Sequence, residues 1–128
     1  MSLRSPLGRV LGLGSAKDGF SHWWGQRVSA VGLVLLGGWF AVSLALLPSL
    51  DYATVKAWVA APFNTVALLL LVPTAAFHAR LGIQVVIEDY IAAGWLKVLS
   101  LVVIAFVFVA AAVAGMFAVL RISFGVAP

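Results

Sequence analysis

The sequence predicts an all-α integral membrane protein with three transmembrane helices. Two observations carry this. Of the 128 residues, 64% are hydrophobic and only 9% are charged, whereas a soluble domain is nearer half apolar and a quarter charged. The apolar residues also gather into three runs, 28–47, 65–87 and 98–120, each close to the ~20 residues that cross a hydrocarbon core about 30 Å thick. Backbone groups in lipid must pair within their own segment, so such runs are helices. Barrel strands would alternate polar and apolar residues, and these runs do not.

Residues 1–21 read as a cytoplasmic tail. Arg4, Arg9 and Lys17 are interleaved with Gly and Ser, and no apolar core of signal-peptide length precedes span one; an organelle transit peptide is the alternative. Residues 22–122 form the three-helix anchor. Span one (24–47) ends at Pro48, Ser49 and Asp51, and a short interfacial helix follows with Tyr52, Lys56 and Trp58. Pro62 and Asn64 open span two (63–89), and Pro73 within it is expected to kink the helix just before His78. Glu88 to Lys97 links to span three (96–121), with Gly94 as a breaker. Trp23, Trp24, Trp58, Tyr90 and Trp95 fall at span ends, where amphipathic rings favour the headgroup level.

The cations set the orientation. Arg4, Arg9, Lys17, Arg27 and Lys97 fall on one side, and Lys56 and Arg121 on the other. The positive-inside rule then puts the N-terminus in the cytoplasm and the C-terminus on the outer side. The net charge of +4 is a topology signal and not the clustered basic face of a nucleic-acid binder. With no cysteine, the chain cannot hold a disulfide or a thiolate-bound iron–sulfur cluster. The three spans leave no room for a soluble catalytic domain.

Span two carries His78, Arg80 and Gln84 at membrane depth, where ionisable groups are costly and face a protein interior or a cofactor. His78 lies on a stripe with Ala75, Ala79, Gly82, Val86 and Asp89. A stripe so small beside a His would let a flat macrocycle approach, and a neutral imidazole is a standard axial ligand of haem iron. The other reading is a His that hydrogen-bonds across helices and binds nothing. His22 is expected at the inner end of span one, with His78 about 15 Å deeper than Asp89. The two should therefore not face each other across a haem, and a second His ligand would belong to another chain. Arg27, Gln26 and His22 gather at the entry to span one and are candidates to hold propionates; the alternative is a snorkelling Arg27 and His22 as a helix cap. Tyr90 is a candidate donor to a quinone carbonyl with Asp89 beside it; the alternative is an interfacial anchor beside a helix-ending acid. Ser21, Gly25, Ser29 and Gly32 form a small-residue stripe suited to close packing on a helix that the sequence does not identify.

Two segments, His22-Trp-Trp-Gly-Gln-Arg27-Val-Ser-Ala and His78-Ala-Arg-Leu-Gly82-Ile-Gln-Val-Val-Ile-Glu-Asp89-Tyr90, resemble the small hydrophobic membrane-anchor subunit of succinate dehydrogenase. The resemblance runs over roughly residues 14–122. It implies packing against a sister anchor subunit and a b-type haem shared between the two, with His78 as one axial ligand and the sister's His as the other. It further implies Gly82 against the haem, Arg27 and His22 near the propionates, and ubiquinone hydrogen-bonded by Tyr90 with Asp89 adjacent. FAD and iron–sulfur clusters would sit on a flavoprotein and an iron–sulfur partner. The spacing of the His before Arg27 varies among relatives, and the resemblance assigns Arg80 no role; a propionate or a partner's acid is the expected counter-ion.

The sequence-level reading is thus a multi-pass protein of a bacterial inner membrane, the mitochondrial inner membrane being the alternative, that passes electrons from succinate to quinone within a larger enzyme. A haem-free structural anchor and the anchor of a quinol:fumarate reductase are the rivals. A channel is disfavoured because spans one and three carry almost no polar side chains at depth.

Overall fold

The computed structural model describes residues 15–125. The tail cations Arg4 and Arg9, and the side chain of Lys17, lie outside what is described. Four helices follow one another: α1 (Ser15–Ala45), α2 (Tyr52–Ala60), α3 (Pro62–Tyr90) and α4 (Gly94–Ser123). Three segments are long and apolar enough to cross a membrane: Phe20–Ala45, Pro62–Tyr90 and Gly94–Ser123. All described elements are helical, as the composition requires.

The first helix begins at Ser15, inside the stretch expected to be tail. No proline lies between residues 15 and 47, so nothing stops the helix from continuing past the apolar run. At its other end it stops at Ala45, before Pro48, whose ring disfavours helical backbone in the residue ahead. The expected interfacial helix is α2. Asp51 caps it, accepting from the Thr54 backbone N–H (2.9 Å), the Thr54 hydroxyl (2.9 Å) and the Ser49 hydroxyl. Those donors, Ser49 first and then Thr54, hold the Asp51 carboxyl down at about 2.

Helix α3 opens with Pro62 at its first turn, where the missing N–H costs nothing. It remains helical through Pro73, and the Thr74 hydroxyl donates to the Leu70 carbonyl (2.7 Å) in the same turn. Only Ile91, Ala92 and Ala93 separate α3 from α4. Gly94 is the first residue of α4 and not a break in the link. Lys97 Nζ donates to the Glu88 carbonyl (2.8 Å), a cation placed on the exposed carbonyls that end α3.

The spans pack in a row. The central α3 touches α1 on one side and α4 on the other, and among the described residues α1 and α4 do not meet. Both contacts are antiparallel: Gly25 faces Leu81 and Gly32 faces Thr74, while Gly115 faces Val72. At the end away from Tyr90, Trp58 of α2 stacks on Trp39 of α1 (centroids 5.7 Å apart), and Trp39 meets Phe63 of α3 edge-on (5.8 Å). Thr65 and Ser123 bring their hydroxyls within 2.8 Å, which ties α3 to α4 there. A row one helix thick buries little. No described residue of α4 is buried, and Phe106, Val98 and Phe117 are openly exposed, a surface that only lipid or another apolar chain can cover.

A Cβ added to Gly115 would stand 2.8 Å from Val72 Cγ1, too close for the β-branched neighbour to yield freely. Gly115→Ala should therefore destabilise the assembled protein by about 1–3 kcal/mol. Adding Val72→Ala should recover most of the loss, and strictly additive effects in thermal unfolding would contradict this contact. Because the Asp51 carboxyl is held below its ordinary 3.8, its capping contribution is complete above that pH and is lost as pH falls toward about 2. A carboxyl-carbon NMR titration should show the low midpoint; an ordinary one would contradict the cap.

Candidate functional site

The small-residue stripe of α1 lies against α3. A Cβ on Gly25 would stand 3.4 Å from Leu81 Cδ1 and from Phe77 Cζ, and one on Gly32 would stand 3.2 Å from Thr74 Cγ2. With no side chains at these positions the helices come close, and Ser29 between them is buried at 6% exposure, alone among polar described residues.

This seam brings Ser29 and Gln26 onto the ring of His78. Ser29 Oγ is 3.0 Å from His78 Nδ1, and Gln26 Nε2 is 3.3 Å from His78 Nε2. The Ser29 hydroxyl also donates back to the Gly25 carbonyl (2.7 Å), with the Gln26 carbonyl at 3.1 Å. Beside them, His22 Nε2 and Gln26 Oε1 are buried without a hydrogen-bond partner. Buried polar atoms are nearly always paired, so these two mark a place where further polar groups would be stabilised.

His22 lies at the start of the span Phe20–Ala45, as expected, on a helix that itself begins at Ser15. Its offset from His78 along the bundle is smaller than expected. His22 stands four residues before Gln26, about 6 Å along the axis, and Gln26 touches His78. The expected stripe also divides. Gly82 faces Gln26 (a Cβ there would be 3.9 Å from its Nε2), whereas Ala75 and Ala79 line a groove with Phe108, Ala111 and Ala112 of α4. Steps of three and four residues drift around a helix of 3.6 per turn, so six positions cannot all share one neighbour.

The other candidate residues lie apart from the His78 cluster. Arg27 is exposed, its guanidinium 5.6 Å from the Trp23 ring centroid; two residues before Ser29 is over half a turn, so it points away from the face of α1 that meets His78. Asp89 is eleven residues beyond His78, three turns along the same face, and is exposed at the end of α3. Tyr90 is 84% exposed, more than any other aromatic or large apolar side chain described. Arg80 lines a separate groove between α3 and α4 with Pro73, Phe77 and Phe108. Two residues from His78 is over half a turn, so Arg80 points away from the His78 face.

The sequence does not place Ser29 or Gln26 on His78: Ser29 reads as a small packing residue and Gln26 as one of the polar group at the entry to span one. The signal was there, since Ser29 and Ser43 are the sole polar side chains of the first apolar run. What was lacking was the register between two helices far apart in sequence. Among the described residues no cluster of three or more His, Asp or Glu side chains could enclose a metal ion.

The fold and this cluster define a class: a polytopic membrane protein whose central helix presents a histidine at the seam with its neighbour. Residues 1–114 match the family described as Succinate dehydrogenase/Fumarate reductase transmembrane subunit. A succinate dehydrogenase hydrophobic membrane anchor subunit of Rickettsia bellii (strain RML369-C) is 37% identical over 94 residues, covering 73% of this chain and 75% of that one. The like-named subunit of Rickettsia conorii (strain ATCC VR-613 / Malish 7) is 43% identical over 79 residues, 61% of this chain and 63% of its own. That of Paracoccus denitrificans is 32% identical over 93 residues, covering 73% and 72%. No solved structure matches. The chain belongs to the family of succinate dehydrogenase and fumarate reductase transmembrane subunits. It is accordingly a membrane anchor that works with partner subunits, and the dicarboxylate chemistry lies on those other chains.

Proposed function

We propose that this chain anchors a succinate dehydrogenase in a bacterial inner membrane and, with a sister anchor subunit, holds haem b and forms part of the ubiquinone site. The observation that carries the reading is the His78 cluster: an imidazole at the α1–α3 seam, clasped at both nitrogens, beside two buried polar atoms that lack partners. The residues present fit a haem. His78 would offer Nε2 once the flexible Gln26 amide that contacts it turns aside, Gly82 leaves room beside it with only Gln26 Nε2 near, and His22 Nε2 and Gln26 Oε1 would take polar groups such as a propionate or bridging water.

When bound, haem b supplies reversible one-electron redox chemistry inside the membrane. The chain's own residues do the rest. His78 would hold the haem iron through a ring nitrogen, with a second His supplied by the sister anchor. His22 and Arg27 supply donors at the Tyr90 end of α1 for propionates. Tyr90, extended from the end of α3, donates its phenolic hydrogen to a quinone carbonyl. Asp89 beside it, on the His78 face, holds or relays a proton at the membrane edge. The N-terminus faces the cytoplasm, where a flavoprotein with FAD and an iron–sulfur subunit dock. The family match covers fumarate reductase subunits as well, so the anchor of a quinol:fumarate reductase is the second reading.

A reduced-minus-oxidised optical spectrum of the purified complex tests the haem assignment. His78→Ala should abolish the b-type signal while the partner subunits remain assembled. An unchanged signal would move the ligand elsewhere, and no signal in the wild type would leave a structural anchor. Tyr90→Phe should lower succinate:quinone activity by about 10²- to 10⁴-fold if the phenol transfers its proton in the rate-limiting step. Succinate oxidation with a soluble acceptor should be unaffected, and full quinone activity in the variant would remove Tyr90 from the site.

A further inference from the structure

The His78 cluster dictates which ring nitrogen is available, and this inference rests on the haem reading above. Ser29 has one hydroxyl proton. Its shortest contact is to the Gly25 carbonyl at 2.7 Å, with the Gln26 carbonyl at 3.1 Å, so the proton is committed to the helix backbone. The Ser29 oxygen is then left to accept from His78 Nδ1–H at 3.0 Å. That makes Nε2 the unprotonated nitrogen, and its lone pair accepts the Gln26 amide N–H at 3.3 Å. One tautomer thus satisfies all of these contacts together. The opposite tautomer would require Ser29 to abandon the backbone carbonyls, and the Gln26 amide to turn over.

We infer that Ser29 is a positioning residue for iron ligation: it fixes the tautomer and rotation of His78 so that Nε2, and not Nδ1, is the ligating nitrogen. Gln26 holds that Nε2 only while no iron is present. The two contacts differ in kind. Ser29 is buried, and it sits between Gly25 and Gly32 on the seam where α1 and α3 approach closely. Gln26 reaches His78 through a flexible side chain, over a longer distance, with its other amide atom unpaired. The weaker contact is the one that gives way. A histidine ligand whose remote N–H is accepted by a neighbour is held in orientation and donates more strongly to its metal.

The test uses the assembled complex carrying Ser29→Ala or Ser29→Thr, with haem content, the haem midpoint potential and the low-spin ferric EPR signal as readouts. Ser29→Ala removes the acceptor at Nδ1 and leaves His78 in place. It should weaken haem retention about ten- to hundred-fold. Haem that remains should show a raised midpoint potential, because a less donating ligand favours the ferrous state, and altered g-values. Ser29→Thr keeps the hydroxyl and should restore the wild-type potential and g-values, which a purely packing role for Ser29 would not require. Unchanged potential and EPR signal in Ser29→Ala, in a complex whose haem is lost in His78→Ala, would overturn the positioning role and leave the ligand assignment standing. Haem retained in His78→Ala would overturn both.

Discussion

The close approach of α1 and α3 along Gly25, Ser29 and Gly32 is the constraint on which the rest of the molecule depends. In lipid, apolar burial does not drive one helix onto another, so association rests on tight packing and on hydrogen bonds between helices. The seam supplies both. Glycines at 25 and 32 let Phe77, Leu81 and Thr74 reach the α1 backbone. Between the two glycines Ser29 meets His78 at 3.0 Å. A Cβ at Gly32 would stand 3.2 Å from Thr74 Cγ2 and one at Gly25 would reach contact distance of Leu81 and Phe77 at 3.4 Å, so side chains larger than a methyl would press on the seam, though neither glycine touches the histidine.

The same economy explains the shape. A row of three helices, with α3 between α1 and α4, leaves α3 as the one span with a neighbour on each side. The functional candidates concentrate there: His78 and Gly82 on the α1 side, Asp89 on the same face at its end, Tyr90 beyond. The row is one helix thick and buries little, and the broad apolar exposure of α4 is unsuited to water. Family membership accounts for both features, since an anchor of this class works with partner subunits.

Much of the fold could be read from the sequence, because the lipid environment leaves few choices. Apolar runs of span length, prolines at 48 and 62, and aromatic rings at the ends located the elements to within a few residues. The start of α1 was the exception. Its polar first turns are helical at Ser15 although no apolar run marks them. The His78 cluster was legible only in part. Its histidine stood out because an ionisable group in a span is rare. Ser29 and Gln26 did not, because they become neighbours of His78 only through the antiparallel register of α1 on α3. That register depends on where small residues meet large ones across 49 residues of chain, which periodicity within either helix does not report. The small offset between His22 and His78 has the same origin, since the contact of Gln26 with His78 sets it.

The measurement that tests this account most directly is a density map of the native, haem-loaded complex at a resolution that places side chains. The account predicts iron at bonding distance from His78 Nε2, Ser29 Oγ still within hydrogen-bond distance of Nδ1, and the Gln26 amide turned away from the ring. A map showing Gln26 still on Nε2, with no macrocycle at His78, would contradict it.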